Sequence, residues 1–121
     1  MKRSLMQVYV KGSAEAVELY QRAFDSPLVA SYKNDDGSYM HAELDIQGQI
    51  VAVSEISVES ATGSTMQFCF HYGEGNEAAV ISAYEFLSEG GEVIFPLGEC
   101  LFSPLMGGII DKFGVSWCLF V

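Results

Sequence analysis

LMQVYVKGSAEAVELYQRAF (residues 5–24) holds the first change of hydrophobic period in the chain, and the fold reading starts from it. Residues 5–10 form a short apolar run. After Gly12 and Ser13, the residues Ala16, Leu19, Tyr20, Ala23 and Phe24 fall at helical spacing. The stretch therefore predicts a strand followed by a helix, with Ser13 as N-cap and Glu15 in the first turn beside the positive end of the helix dipole. Beyond Pro27, the runs 28–33, 39–46 and 49–57 are separated by AsnAspAspGly at 34–37 and GlnGly at 47–48, which predicts a three-strand meander. The order is βαβββ.

After a small, polar connector at 58–64 the order repeats. Residues 65–72 read as a strand, and a helix from about Asn76 carries Ala79, Val80, Ala83, Phe86 and Leu87 on one stripe. Gly90 and Gly91 end it, since glycine enters the left-handed conformation without a steric cost. Three apolar stretches follow, at 92–97, 100–109 and 115–121, divided by Pro96, Gly107 with Gly108, and AspLysPheGly at 111–114. The expectation is one domain over residues 1–121 built from modules 1–57 and 65–121, neither of which could bury both faces of its sheet alone.

Half of the 121 residues are hydrophobic, enough to build a core without disulfide or metal staples. The start is basic, but its apolar run is broken by Gln7 and Lys11, too short and too polar for a signal peptide or membrane span, so a cytoplasmic protein is expected. Cys69, Cys100 and Cys118 are odd in number and lack CxxC spacing, which reads as reduced thiols rather than a disulfide framework or structural zinc. Sixteen acidic against six basic residues give a net charge of −10, which repels phosphate backbones and anionic lipid. Neither nucleic acid nor a membrane is an expected partner.

GSAEAVELYQRAF (12–24), YMHAEL (39–44), FLSEGGEV (86–93) and DKFGVSW (111–117), in this order, resemble the PhnB-like branch of the glyoxalase, bleomycin-resistance and dioxygenase proteins, the vicinal oxygen chelate superfamily. The resemblance covers nearly the whole chain. It implies an α+β fold of two βαβββ modules whose curved mixed sheets surround a cavity, usually within a homodimer. It also implies a divalent metal held by the first and last strand of each half, where open coordination positions polarise a substrate oxygen. Carried onto this sequence, those positions are Leu5 or Gln7, Glu55, Thr65 or Gln67, and Cys118. Only Glu55 is a strong ligand among them, since glutamine coordinates weakly and a thiolate prefers softer metals. A methyltransferase name is attached to some members, but the glycines at 73, 75, 90 and 107 lack the GxGxxG spacing of a nucleotide-type loop.

Strand alternation places His41 with Tyr39 and Glu43 on one face. It reads either as a cavity-lining proton carrier tuned by Glu43 or as a surface or interface histidine. His71 reads as a ligand contact or a solvated strand-end residue. Glu55, following Val51 and Val53 on one face, either reaches a ligand or metal or emerges into water. Gln7 shares a face with Tyr9, and Gln67 mirrors Gln7 in the second half; each amide either meets a bound molecule or satisfies a neighbouring strand. Cys118 alternates with Ser116 and Phe120 and reads as a small hydrophobe or, given a base, a nucleophile. Trp117 reads as core with one partner for its indole N–H.

Two functions stay open. One is a small-molecule-binding protein that holds an apolar or cationic compound among Gln7, Tyr9, His41, Glu55, Gln67, His71 and Cys118, with no metal and no catalytic residue. The acidic balance favours a cation. The other is a divalent-metal-dependent lyase, isomerase or dioxygenase-like enzyme using Glu55 with His41 or with the glutamines Gln7 and Gln67.

Overall fold

The computed structural model describes residues 1–57 and 66–121, which belong to two compact units. The connector at 58–64 and the expected strand start at Thr65 lie outside the described residues. Among the described residues no helix is long and apolar enough to cross a membrane.

The first unit runs β1 (Met6–Val10), α1 (Ser13–Phe24), β2 (Leu28–Lys33), β3 (Tyr39–Ile46) and β4 (Gln49–Glu55). Its sheet has the order β1-β4-β3-β2, with β1 and β4 parallel and the other pairs antiparallel. The turns take the form their residues dictate. Gly37 donates to the Asn34 carbonyl, and Gln47 and Gly48 both have positive φ, as a tight hairpin requires. Register and alternation put Val8, Val10, Ala42, Leu44, Val51 and Val53 on one face, all buried, where they meet Ala16, Val17, Tyr20, Ala23 and Phe24 of α1. Gln7, Tyr9, Tyr32, His41, Glu43, Ala52 and Ser54 take the other face.

Ser13 is not the N-cap of α1. That place belongs to Gly12, whose φ of 89° is in the left-handed region, while Ser13 begins the helix, fully buried. Its hydroxyl accepts from the Tyr39 N–H at 2.8 Å and donates to Glu55, tying helix start to sheet.

The second unit repeats the order with β5 (Phe68–His71), α2 (Glu77–Ser88), β6 (Glu92–Gly98), β7 (Met106–Ile110) and β8 (Ser116–Phe120), in a sheet ordered β5-β8-β7-β6 with β5 and β8 parallel. Two of the expected breaks are not breaks. Pro96 lies within β6, an edge strand, where a missing N–H costs no ladder bond on the open side. Gly107 and Gly108 lie within β7 because side chains crowd there: a Cβ on Gly107 would sit 2.5 Å from the Tyr84 ring, and one on Gly108 2.9 Å from the Phe95 ring. Conversely, the expected strand over 100–109 begins only at Met106. Ser103 folds the preceding segment into a turn, its hydroxyl bonding the Val121 carbonyl at 2.6 Å while Cys100 N–H bonds the Ser103 carbonyl.

The DKFGVSW segment is a tightly bonded corner. One oxygen of the buried Asp111 carboxylate accepts from the Phe113 and Val115 N–H groups, and the other accepts from the Trp117 indole at 2.8 Å. Trp117 is fully buried, so its N–H has found the one partner it needs. Asp111→Ala orphans that indole and two backbone donors. Urea denaturation should show a loss of about 2–4 kcal/mol, against under about 0.5 kcal/mol for Asp35→Ala in the exposed turn at 34–37.

Candidate functional site

The open face of the first sheet is built from rows across the strands. The strand register sets Gln7 beside Ala52, Ala52 beside Glu43 and Glu43 beside Ala30, with Tyr9 beside Ser54 and Tyr32 beside His41 in the neighbouring row. At the centre of this face Ala52 is fully buried and Ser54 is 6% exposed, beside Glu43 and His41 on β3, while Ala30 lies on the edge strand β2. The two edges of the face carry tyrosines, Tyr9 on β1 and Tyr32 on β2, 64% and 62% exposed. Three strand spacings separate those edges, roughly 14 Å, about the span of a small aromatic molecule with room for its substituents.

Glu43 is the charged centre of this face. Arg3 grips it with both guanidinium nitrogens, at 2.9 Å to one oxygen and 2.7 Å to the other, and His41 Nε2 lies 2.9 Å from that second oxygen. The carboxylate side chain is only 8% exposed while the Arg3 side chain is 52% exposed, so the arginine closes over it from the solvent side. The Arg3 hydrogen bonds, with the bond to His41, hold the Glu43 carboxyl down to about 2. An ionised carboxylate only accepts, so His41 must carry a hydrogen on Nε2, and whenever the ring is neutral Nδ1 is its acceptor. The His41–Glu43 pairing is the one its strand alternation anticipates. Arg3 escaped notice because it precedes the first strand; the signal was a carboxylate in a half-apolar strand, which requires a cationic partner. Gln7 donates to Ser54 Oγ at 3.0 Å.

Glu55 is on the opposite, helix-facing side, as register partner of the buried Val10. Its carboxylate accepts from the Gly12 N–H at 3.0 Å, the Ser13 N–H at 2.9 Å and the Ser13 hydroxyl at 2.8 Å. It is the N-terminal cap of α1 supplied from another strand. Those bonds, led by the Ser13 N–H, hold its carboxyl below the usual carboxylate range. The structure does not bring it together with Gln7, Tyr9 or His41.

On the open face of the second sheet, Cys69 pairs with Cys118, Cys118 with Gly108, and Gly108 with Phe95. His71 pairs with Phe120, and their rings stack at 4.6 Å and 12°. Gln67 donates to Ser116 Oγ at 3.3 Å and accepts from the Cys69 thiol at 3.6 Å. Burial, with Cys69 and Cys100 nearby, pushes the Cys118 thiol up to about 11.

The divalent metal that the resemblance implies does not fit these residues. Glu55 is committed to α1, the two glutamine amides bond neighbouring strands, and the Cys118 thiol is a soft donor that an oxygen-seeking divalent ion does not favour. Among the described residues no three His, Cys, Asp or Glu side chains form a group able to hold a metal ion.

No family model and no curated protein matches the chain. Solved structures do. The PhnB protein of Bacillus cereus, which also carries a 3-demethylubiquinone-9 3-methyltransferase name, superposes with a TM-score of 0.83 at 26% identity over 98% of each chain. Protein PA1353 of Pseudomonas aeruginosa gives 0.82 at 21% identity, over 99% of this chain and 97% of that one. A mutant fosfomycin resistance protein FosX of Listeria monocytogenes, in complex with Mn(II) and 1S,2S-dihydroxypropylphosphonic acid, gives 0.72 at 15% identity, over 98% and 90%. The fold is α+β with two βαβββ modules, that of the vicinal oxygen chelate proteins, and the resemblance to the PhnB-like members holds over the whole chain.

Two outcomes follow from the carboxylates. Glu55→Ala should destabilise the protein by about 1–2 kcal/mol in urea through loss of the cap, with Glu55→Gln losing about half of that. Glu43 has its folded-state pKa lowered, from 4.5 to about 2, so its stabilisation is complete above the ordinary value and fades as pH falls toward 2. In Arg3→Ala the Glu43 carboxyl should titrate nearer its ordinary range, read by carboxyl-detected NMR, and the variant should be less stable near neutral pH but lose less stability than the parent between pH 4.5 and about 2.

Proposed function

We propose that this chain, with its vicinal oxygen chelate fold and PhnB-like resemblance, is a binding protein for a small aromatic cation, held without a metal on the open face of its first sheet. The observation that carries the reading is the row of Tyr9, Ser54, His41 and Tyr32, with both phenol rings exposed and the imidazole one-third exposed, beside the Arg3–Glu43 clamp. A planar ligand would meet the exposed rings of Tyr9 and Tyr32, which favour cations over their faces. His41 would supply the orienting contact. With Nε2 engaged by an ionised Glu43, Nδ1 of the neutral ring accepts, and an ammonium or protonated heterocycle is the matching donor. Arg3 would hold the carboxylate rather than meet the ligand. The net charge of −10 raises the local concentration of a cation by field alone.

The metal-dependent enzyme draws support from the Mn(II) bound to FosX, a protein 15% identical, but among the described residues of this chain no three His, Cys, Asp or Glu side chains form a group to hold the ion. The protein is read further as a cytoplasmic homodimer, which size-exclusion chromatography with light scattering tests.

A thermal-shift and calorimetric series should compare aromatic amines with neutral and anionic analogues of the same shape. Amines should stabilise most, a ligand at a hundredfold its dissociation constant adding about 2.7 kcal/mol. Tyr9→Ala, Tyr32→Ala and His41→Ala should each weaken binding by about 1–2 kcal/mol. Equal binding of anionic analogues, or affinity indifferent to all three substitutions, would overturn the reading.

A further inference from the structure

The second unit gathers soft donors that its sequence spacing keeps far apart. Cys69 lies on β5 and Cys118 on β8, and the two are direct register partners in neighbouring parallel strands, so their side chains leave the same open face side by side. Cys69 is exposed and Cys118 half-buried, and neither is in a disulfide. On the far side of Cys118 the register partner is Gly108, which has no side chain and is covered by the Phe95 ring. The rim is apolar: besides that ring, Phe120 is stacked on His71 and met edge-on by Phe102 at 5.2 Å. Met106, whose thioether is another soft donor, is the register partner of Phe120 on this face.

We propose that the paired thiols of Cys69 and Cys118 bind a soft monovalent cation of the Cu(I) type as a two-coordinate bis-thiolate. The donor chemistry selects the metal. Two thiolates in an apolar surround suit Cu(I) or Ag(I), whereas zinc asks for four ligands and the hard cations for oxygen. Among the described residues no third or fourth His, Cys, Asp or Glu joins the pair to make a higher-coordinate site. Binding exchanges two S–H protons for one cation, the protons pass to solvent, and the metal keeps its oxidation state. Nothing in it depends on the ligand assigned to the first sheet.

The test uses the full, reduced chain under anaerobic conditions, with Cu(I) presented on a chromophoric chelator and Ag(I) as a redox-silent second probe. One Cu(I) per chain should leave the chelator, with two protons released. Of the three thiols, a chromogenic disulfide reagent should then find one still reactive. Cys69→Ser and Cys118→Ser should each weaken binding by more than about tenfold, and Cys100→Ser should leave it intact. Because Cys69 is exposed, Cys69→Ser tests the site even if Cys118→Ser folds poorly; unchanged melting certifies each variant. Retention of Cu(I) by the chelator, tight binding that survives Cys69→Ser, or a Cys69–Cys118 disulfide formed in place of a metal adduct would each overturn the proposal.

Discussion

Each unit closes by laying its first strand parallel to its last, β1 on β4 and β5 on β8, with the register of that one pairing deciding what every other strand presents to solvent. Parallel neighbours need a crossover, and α1 or α2 begins it on one face of the sheet. From then on the period of two leaves no freedom. Val10 beside Glu55 commits Glu55 to the helix side, and Tyr9 beside Ser54 commits both to the open side. A slip of one residue would exchange the two sets and bury Tyr9 while exposing valines, an error the hydrophobic pattern makes expensive.

Three carboxylates that burial would otherwise penalise are each absorbed by a different device. Glu55 meets the unpaired N–H groups and dipole at the start of α1, Asp111 collects two backbone donors and the Trp117 indole, and Glu43 is clamped by Arg3 with His41. The first two are structural, because all their partners belong to the scaffold. The third differs. Its partners are an arginine half open to solvent and an imidazole one-third exposed, so the network is buried at its centre and accessible at its ends. That combination sets a proton on a defined nitrogen while leaving the ring available to something else.

Much of this was legible in the residues. The change from alternation to helical spacing after Gly12, the AsnAspAspGly and GlnGly turns, and the glycines after Leu87 give element order and both helix stripes, since each rests on local stereochemistry. The face shared by Val51, Val53 and Glu55 was legible too, but not which face it is. That is a tertiary fact, fixed only when α1 covers one side, and it moves Glu55 from candidate ligand to helix cap. The glycines of β7 read as breakers because the rings of Tyr84 and Phe95 that require them come from other elements. Arg3 and the Cys69–Cys118 pair were hidden for the same reason: their partners are 40 and 49 positions away, and spacing carries no signal over such a range.

The two units keep their likeness on one face and lose it on the other. Toward the helices both sheets are apolar, with Val8, Val10, Val51 and Val53 in the first and Phe68, Phe70, Trp117 and Leu119 in the second, because close packing against a helix accepts only such side chains. The open faces are under no such demand. One holds a guanidinium, a carboxylate, an imidazole and two phenols; the other holds thiols, a thioether and stacked rings. Hard hydrogen-bonding groups and soft polarizable ones do not recognise the same molecules. A repeat that has diverged into these two chemistries has kept its scaffold through its core and is free to take its binding properties from the faces that the core leaves unconstrained.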